Sequence, residues 1–264
     1  MVSYNKVGDI YMAIYRQRGG GENLKKSKEM YKMGLYLAKE LVKKEDTCIN
    51  WNDLRIAYLN LGDVYMIMGG EENLNRAKKV YEKSLDMQKK IVKKEKNIKN
   101  LRGLSVVYSR LGDTYWEIYL KEGLEENLNI VCDMYEKSNE IFKELVEKEE
   151  TSISWRDLSI SYGKLGDIYG KRCGEKCQSK SYEMYMKSLR ISENLAKKEG
   201  TLDLYDLLAV SMYNVAINSF TPVRIRKQYL QKMKKISEML MRETGSLRYL
   251  NFIAMADFML KSMY

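Results

Sequence analysis

The sequence predicts an all-α protein, a solenoid of stacked αα-hairpins with about eleven helices. Three observations predict it. An eight-residue pattern recurs at Tyr4 to Tyr11, Tyr58 to Tyr65, Tyr108 to Tyr115 and Tyr162 to Tyr169, and its glycines (Gly8, Gly62, Gly112, Gly166) stand 54, 50 and 54 residues apart. Self-similarity at a period of about 20–50 residues marks a repeat architecture, in which each unit buries its apolar face against its neighbours. Behind each copy, apolar and small residues recur at helical spacing. The chain also holds a single proline and only 17 glycines, mostly at the ends of periodic runs, so little interrupts helices.

The first copy is incomplete. Met1 and Val2 align with Ser159 and Ile160, so the opening turn that Trp155 to Leu158 supply in the fourth repeat is absent, and residue 1 is expected to be either an artificial cut or a start within a longer repeat protein. Gly19-Gly20-Gly21 ends this first helix, and from about Asn23 the second runs through Leu24, Ser27, Tyr31, Gly34, Leu35, Ala38 and Leu41. The unit returns with Gly69-Gly70 as its turn and Leu74, Ala77, Tyr81, Ser84, Leu85, Gln88 and Ile91 as the second face. Asn50, Asn100 and Ser154, each just before a Trp or Leu, read as N-caps of the first helix of repeats two, three and four. The third hairpin has a longer expected turn, Lys121 to Asn127, ahead of Val131, Tyr135, Ser138 and Ile141. In the fourth, Gly170, Cys173, Gly174 and Cys177 fall in the turn and Ser181, Tyr185, Ser188 and Leu189 follow. The fifth copy is degenerate, with Tyr205, Leu208, Met212, Val215 and Ala216 in place of Trp155, Leu158, Tyr162, Leu165 and Gly166. Thr221-Pro222 starts its second helix, proline suiting a first helical position. The repeats therefore span residues 1–46, 47–96, 97–150, 151–200 and 201–245 of one solenoid, and a closing helix takes 246–264.

These hairpins resemble the tetratricopeptide repeat. The matching residues in repeat four are Tyr162, Leu165-Gly166 and Tyr169 on the first helix with Ser181, Tyr185 and Ser188 on the second. Repeat two matches with Tyr58, Leu61-Gly62, Tyr65, Ala77, Tyr81 and Ser84, and repeat three with Tyr108, Leu111-Gly112, Tyr115, Val131, Tyr135 and Ser138. Two departures stand out: a period near fifty where the family has about thirty-four, and Val131 where a small residue is expected. The long form, Trp-x-Asp-Leu ahead of Tyr-x-x-Leu-Gly-Asp, is similar to repeats of bacterial multidomain signalling and defence proteins. The resemblance implies a right-handed superhelix whose concave wall binds a protein or peptide.

Composition narrows the function classes. No apolar run approaches the roughly 18 residues of a bilayer span, and residues 1–18 hold no signal-like apolar core, so a cytoplasmic location is expected. With no histidine and four cysteines, of which only Cys173 and Cys177 are neighbours, the ligand count for zinc is not met and neither metal nor cofactor is expected. There is no phosphate-binding glycine loop and no nucleophile elbow, and no enzyme activity is expected. The net charge of +10 permits attraction to nucleic acid, but lysines spread over every helix read as a solvated outer face.

By carry-over from the family, the groove would be lined by Asn5, Asp9 and Met12, by Leu59, Asp63 and Met66, by Ser109, Asp113 and Trp116, and by Gly163 and Asp167. The row Asp9, Asp63, Asp113 and Asp167 is the most regular polar feature and suits the basic side chains or amides of an extended peptide. Its structural alternative is pairing with Lys6, Arg110 and Lys164, three residues before Asp9, Asp113 and Asp167. Trp116 is not repeated, as a partner anchor need not be, or else it packs under the third turn. The expected role is a scaffold or sensor module of a larger signalling or defence protein. The alternative is a basic superhelix that binds RNA or another polyanion.

Overall fold

The computed structural model describes residues 2–172 and 174–263. Among them are eleven helices and no strand: α1 (Val2–Arg18), α2 (Gly21–Lys44), α3 (Cys48–Met68), α4 (Glu71–Lys94), α5 (Ile98–Glu122), α6 (Glu125–Glu149), α7 (Ser152–Lys171), α8 (Glu175–Glu199), α9 (Leu202–Ile217), α10 (Val223–Thr244) and α11 (Arg248–Lys261). The chain divides within α6 into two compact units, Met1–Ile141 and Phe142–Tyr264. In the first, α1 to α5 pack each on the next; in the second, α7 to α11 do the same. This is the αα-hairpin repeat architecture.

Each unit has a core that runs through successive hairpins. In the first, Leu35 and Ala38 of α2 join Leu54, Tyr58 and Leu61 of α3, Ala77 and Tyr81 of α4, and Val107 and Leu111 of α5. In the second, Leu189 of α8, Leu208 and Met212 of α9, Leu230 and Met233 of α10 and Ala256 of α11 form the corresponding cluster. Val131, large for its place, is wholly buried.

Helix starts differ from expectation by one turn. The N-caps are Thr47, Asn97 and Thr151, whose side-chain oxygens accept from the backbone N–H of Asn50, Asn100 and Ser154 at 3.2, 2.8 and 3.2 Å. The residues read as caps are thus the partners of the caps, at the third helical position. Asn50 and Asn100 turn their side-chain amides back to donate to the carbonyls of Glu45 and Glu95, the C-cap residues of the preceding helices, both at 2.8 Å. The α2–α3 and α4–α5 joints are thus closed from both sides.

The third turn is not long. Helix α5 continues to Glu122, Gly123 stops it in the left-handed conformation (φ 68°), and Glu125 and Glu126 open α6 with acids in its first turn, where the helix dipole favours them. Likewise α2 starts at Gly21, ahead of Asn23, and Pro222 is the N-cap of α10 where the first helical position was expected. Gly170 and Cys177 lie inside α7 and α8, while Cys173 and hence the Cys173–Cys177 pair lie outside the described residues.

Candidate partner-binding site

The repeated Gly-Asp of the first helix, preceded by Val7 in the first copy and by Leu61, Leu111 or Leu165 in the others, builds one local device in four hairpins. Without a Cβ, the glycine admits a tyrosine ring from the second helix: a Cβ on Gly8, Gly62, Gly112 or Gly166 would fall 2.4–2.5 Å from Tyr31, Tyr81, Tyr135 or Tyr185. Lying flat over the glycine, each ring carries its hydroxyl to the next residue of the first helix. Tyr31 donates to Asp9 at 2.6 Å, Tyr81 to Asp63 at 2.5 Å, Tyr135 to Asp113 at 2.6 Å and Tyr185 to Asp167 at 2.7 Å. Where the second helix supplies a serine, it bonds the glycine carbonyl as well, Ser27 to Gly8 at 3.0 Å and Ser181 to Gly166 at 2.8 Å.

The electrostatics hold the proton on the phenol. Burial, reinforced by the neighbouring aspartate, raises the pKa of Tyr31, Tyr81 and Tyr185 far above the ordinary phenol value. These hydroxyls donate and the carboxylates accept. Around Asp167 the desolvation of its carboxyl group raises the pKa although the residue as a whole reaches solvent; the Tyr185 bond and the charges of Lys164 and Lys171 oppose that rise.

In the first unit this geometry makes a site. Asp63 and Asp113 keep 30% and 29% of their side chains exposed and border a cavity of about 190 Å³ completed by Arg16, Met66, Ile67, Tyr81 and Arg110. The Arg110 Nε donates to Asp63 Oδ1 of the preceding repeat at 3.1 Å, whereas its contact with Asp113, three residues along its own helix, is 4.0 Å. The intrahelical pairing expected at this position is therefore the weaker one, and Arg110 ties two repeats. Lys6 and Asp9 form no ion pair.

The other expected groove residues are placed as follows. Met66 lines the cavity and its Sδ accepts from Thr114 at 3.3 Å. Asp9 and Asp167 are exposed. Asn5 and Ser109 turn into the seam between the two helices of their hairpins: Asn5 Oδ1 occupies the space a Cβ on Gly34 would need, and Ser109 Oγ lies 2.8 Å from Ser138 Oγ. Met12 is in the core with Leu24, Tyr31 and Val64. Trp116 is half-buried outside the cavity and stacks on Tyr119 of its own helix, centroids 5.5 Å apart. It packs along α5 and under no long turn.

Sequence reasoning treated the aspartates and the second-helix tyrosines as separate patterns. A signal joined them: in the fifth hairpin both vanish together, with Ile217 after Ala216 and an α10 whose buried residues are Leu230, Met233, Ser237 and Leu240. Several lysines of the solvated face also lie over tyrosine rings while keeping access to solvent, Lys180 at 4.0 Å from the centroid of Tyr169 and Lys78 at 4.8 Å from that of Tyr115.

Comparison with known proteins matches the fold. No family model and no curated protein matches the chain. Among solved structures it is similar to a Podosopora anserina kinesin light chain with nearly identical tetratricopeptide-like repeats, at TM-score 0.54 and 11% identity over 90% of this chain and 95% of that one. It is also similar to a signal transduction ATPase with numerous domains (STAND) from Pyrococcus horikoshii that has a tetratricopeptide repeat sensor, at TM-score 0.50 and 21% identity over 97% of this chain but 33% of the other. BtubC from P. vanneervenii matches at TM-score 0.50 and 12% identity over 91% and 92%. At these identities the likeness is one of fold, that of tetratricopeptide-like repeats. Among the described residues no helix is long and apolar enough to cross a membrane.

Proposed function

We propose that this chain is a peptide-recognition module and not an enzyme, and that the Asp63–Asp113 cavity receives a basic side chain of an extended partner. The observation that carries this reading is the pair of partly exposed carboxylates, each steadied by a buried tyrosine, beside a cavity whose cations among the described residues are Arg16 and Arg110, both with access to solvent. Tyrosine fixes the carboxylates without neutralising them, and Arg110 is a displaceable counter-ion, since half-exposed ion pairs contribute roughly 0–1 kcal/mol. An incoming lysine or arginine exchanges that weak pair for a charge-assisted hydrogen bond. A sensor or scaffold part in a larger signalling or defence protein suits such a module, and a repeat sensor is what the STAND protein is described as having.

The test is the double substitution Asp63→Asn with Asp113→Asn, read by fluorescence anisotropy with a labelled, extended peptide of alternating lysine and serine. Asparagine Oδ1 still accepts from Tyr81 and Tyr135, so the fold is expected to keep its melting temperature. Binding is expected to weaken about tenfold, as the loss of a charged partner implies. Unchanged peptide affinity overturns the proposal. Binding of polyuridine RNA that falls steeply with salt would favour a polyanion partner instead.

A further inference from the structure

A second cavity, of about 280 Å³, lies wholly within the second unit between the start of α7 and the end of α8. Trp155, 36% exposed, forms one side, Ile191 and Leu195 an apolar wall, and Glu150, Ser152 and Lys198 the polar edge. Repeat two carries the same constellation as Asp46, Trp51 and Lys94, each 104 residues earlier than Glu150, Trp155 and Lys198. There it is closed on itself. The indole N–H of Trp51 donates to Asp46 Oδ1 at 2.5 Å, and the Lys94 ammonium lies 5.3 Å from the centre of the ring. In repeat four neither contact forms: the Trp155 indole N–H and the side chains of Glu150 and Lys198 have no hydrogen-bond or ion-pair partner among the described residues. Glu150 also has φ 41°, a left-handed backbone no other described non-glycine residue adopts.

We propose that the Trp155 cleft binds a small zwitterion with an apolar body, a free aliphatic α-amino acid. The two copies in one chain define the ligand's chemistry. Its ammonium group would supply over the Trp155 face, beside the Glu150 carboxylate, what Lys94 supplies over Trp51, an attraction that grows with desolvation. Its carboxylate would take the indole N–H and the Lys198 charge, as Asp46 takes the indole N–H in repeat two. Its side chain would cover Ile191 and Leu195. Ligand pockets commonly run from about 300 to 1,000 Å³, and a cavity of about 280 Å³ stands at the small end of that range, as a molecule of this size requires.

The experiment follows the indole N–H resonance of Trp155 in the intact chain, assigned with Trp155→Phe, during titration with L-leucine, N-acetyl-L-leucine and L-leucinamide. L-leucine is expected to give a saturable shift, and each blocked derivative, lacking one charge, to bind at least about tenfold more weakly. Glu150→Gln is expected to weaken L-leucine by a similar factor, while Asp46→Asn at the closed copy leaves it unchanged. No saturable shift with L-leucine overturns the proposal. So does equal binding of either blocked derivative, a result that needs no variant to fold. Because this cleft is separate from the Asp63–Asp113 cavity, neither outcome bears on peptide binding there.

Discussion

A glycine in the interior of a helix costs about 1 kcal/mol relative to alanine, so the glycines of the repeated pattern need a return. The return is the ring laid across them. At Gly112 a Cβ would stand 2.4 Å from Tyr135 Cε1, and Tyr135 is itself buried, so the ring has little room to retreat. Gly112→Ala is therefore expected to destabilise by about 1–3 kcal/mol although alanine is the better helix former. Urea denaturation measures it directly. The same substitution in a Tyr135→Leu background is expected to be neutral or stabilising, since the clash and the loss belong to one contact, and residues in contact couple by about 0.5–3 kcal/mol. Additive effects of the two changes would refute the assignment.

Among the elements, the second-helix faces were legible because the residues that bury them recur every three or four positions. Leu74, Ala77, Tyr81, Ser84, Leu85, Gln88 and Ile91 are the buried residues of α4, as their spacing predicts. Helix starts were less legible, because Thr47-x-x-Asn50 holds two residues that can each cap, and only geometry shows which accepts and which reaches back. The aspartate row was visible as a row, but its tyrosine partners lie 18 or 22 residues away on another helix, a distance at which sequence periodicity has no reach. The Trp155 cleft could not be read at all, since its residues match the closed copy at Trp51 and only the structure separates them. At this scale Thr47→Ala and Thr151→Ala are each expected to cost about 1 kcal/mol, the usual value of an N-cap side chain. Denaturant midpoints that fall with an unchanged slope would show it; no change would mean that Asn50 and Ser154 suffice without their caps.

For the whole molecule, the tyrosine device and the absence of histidine together set how stability responds to pH. No histidine titrates between pH 5 and 8, so stability is expected to be nearly flat from about pH 6 to 9. Above that the phenols act. Tyr31, Tyr81 and Tyr185 have folded-state pKa values raised above the ordinary value of 10, by burial first and by their aspartates second. A group raised in this way contributes stability that is fully present below its unfolded pKa and is lost as pH climbs from there toward the folded value. In that window the unfolded chain has released the proton and the folded chain still holds it, so each such tyrosine lowers stability by about 1.4 kcal/mol per pH unit and the three together by about 4. An array stable at pH 9 is thus expected to unfold cooperatively between about pH 10 and 12. Tyrosinate absorbance for these residues should appear together with the loss of helical circular dichroism. Tyr81→Phe, which lacks the titrating proton, is expected to flatten the slope by about 1.4 kcal/mol per pH unit. Ionisation of all the tyrosines while helicity stays intact would show that the rings over the glycines are not sealed as the hydrogen bonds to Asp9, Asp63 and Asp167 require.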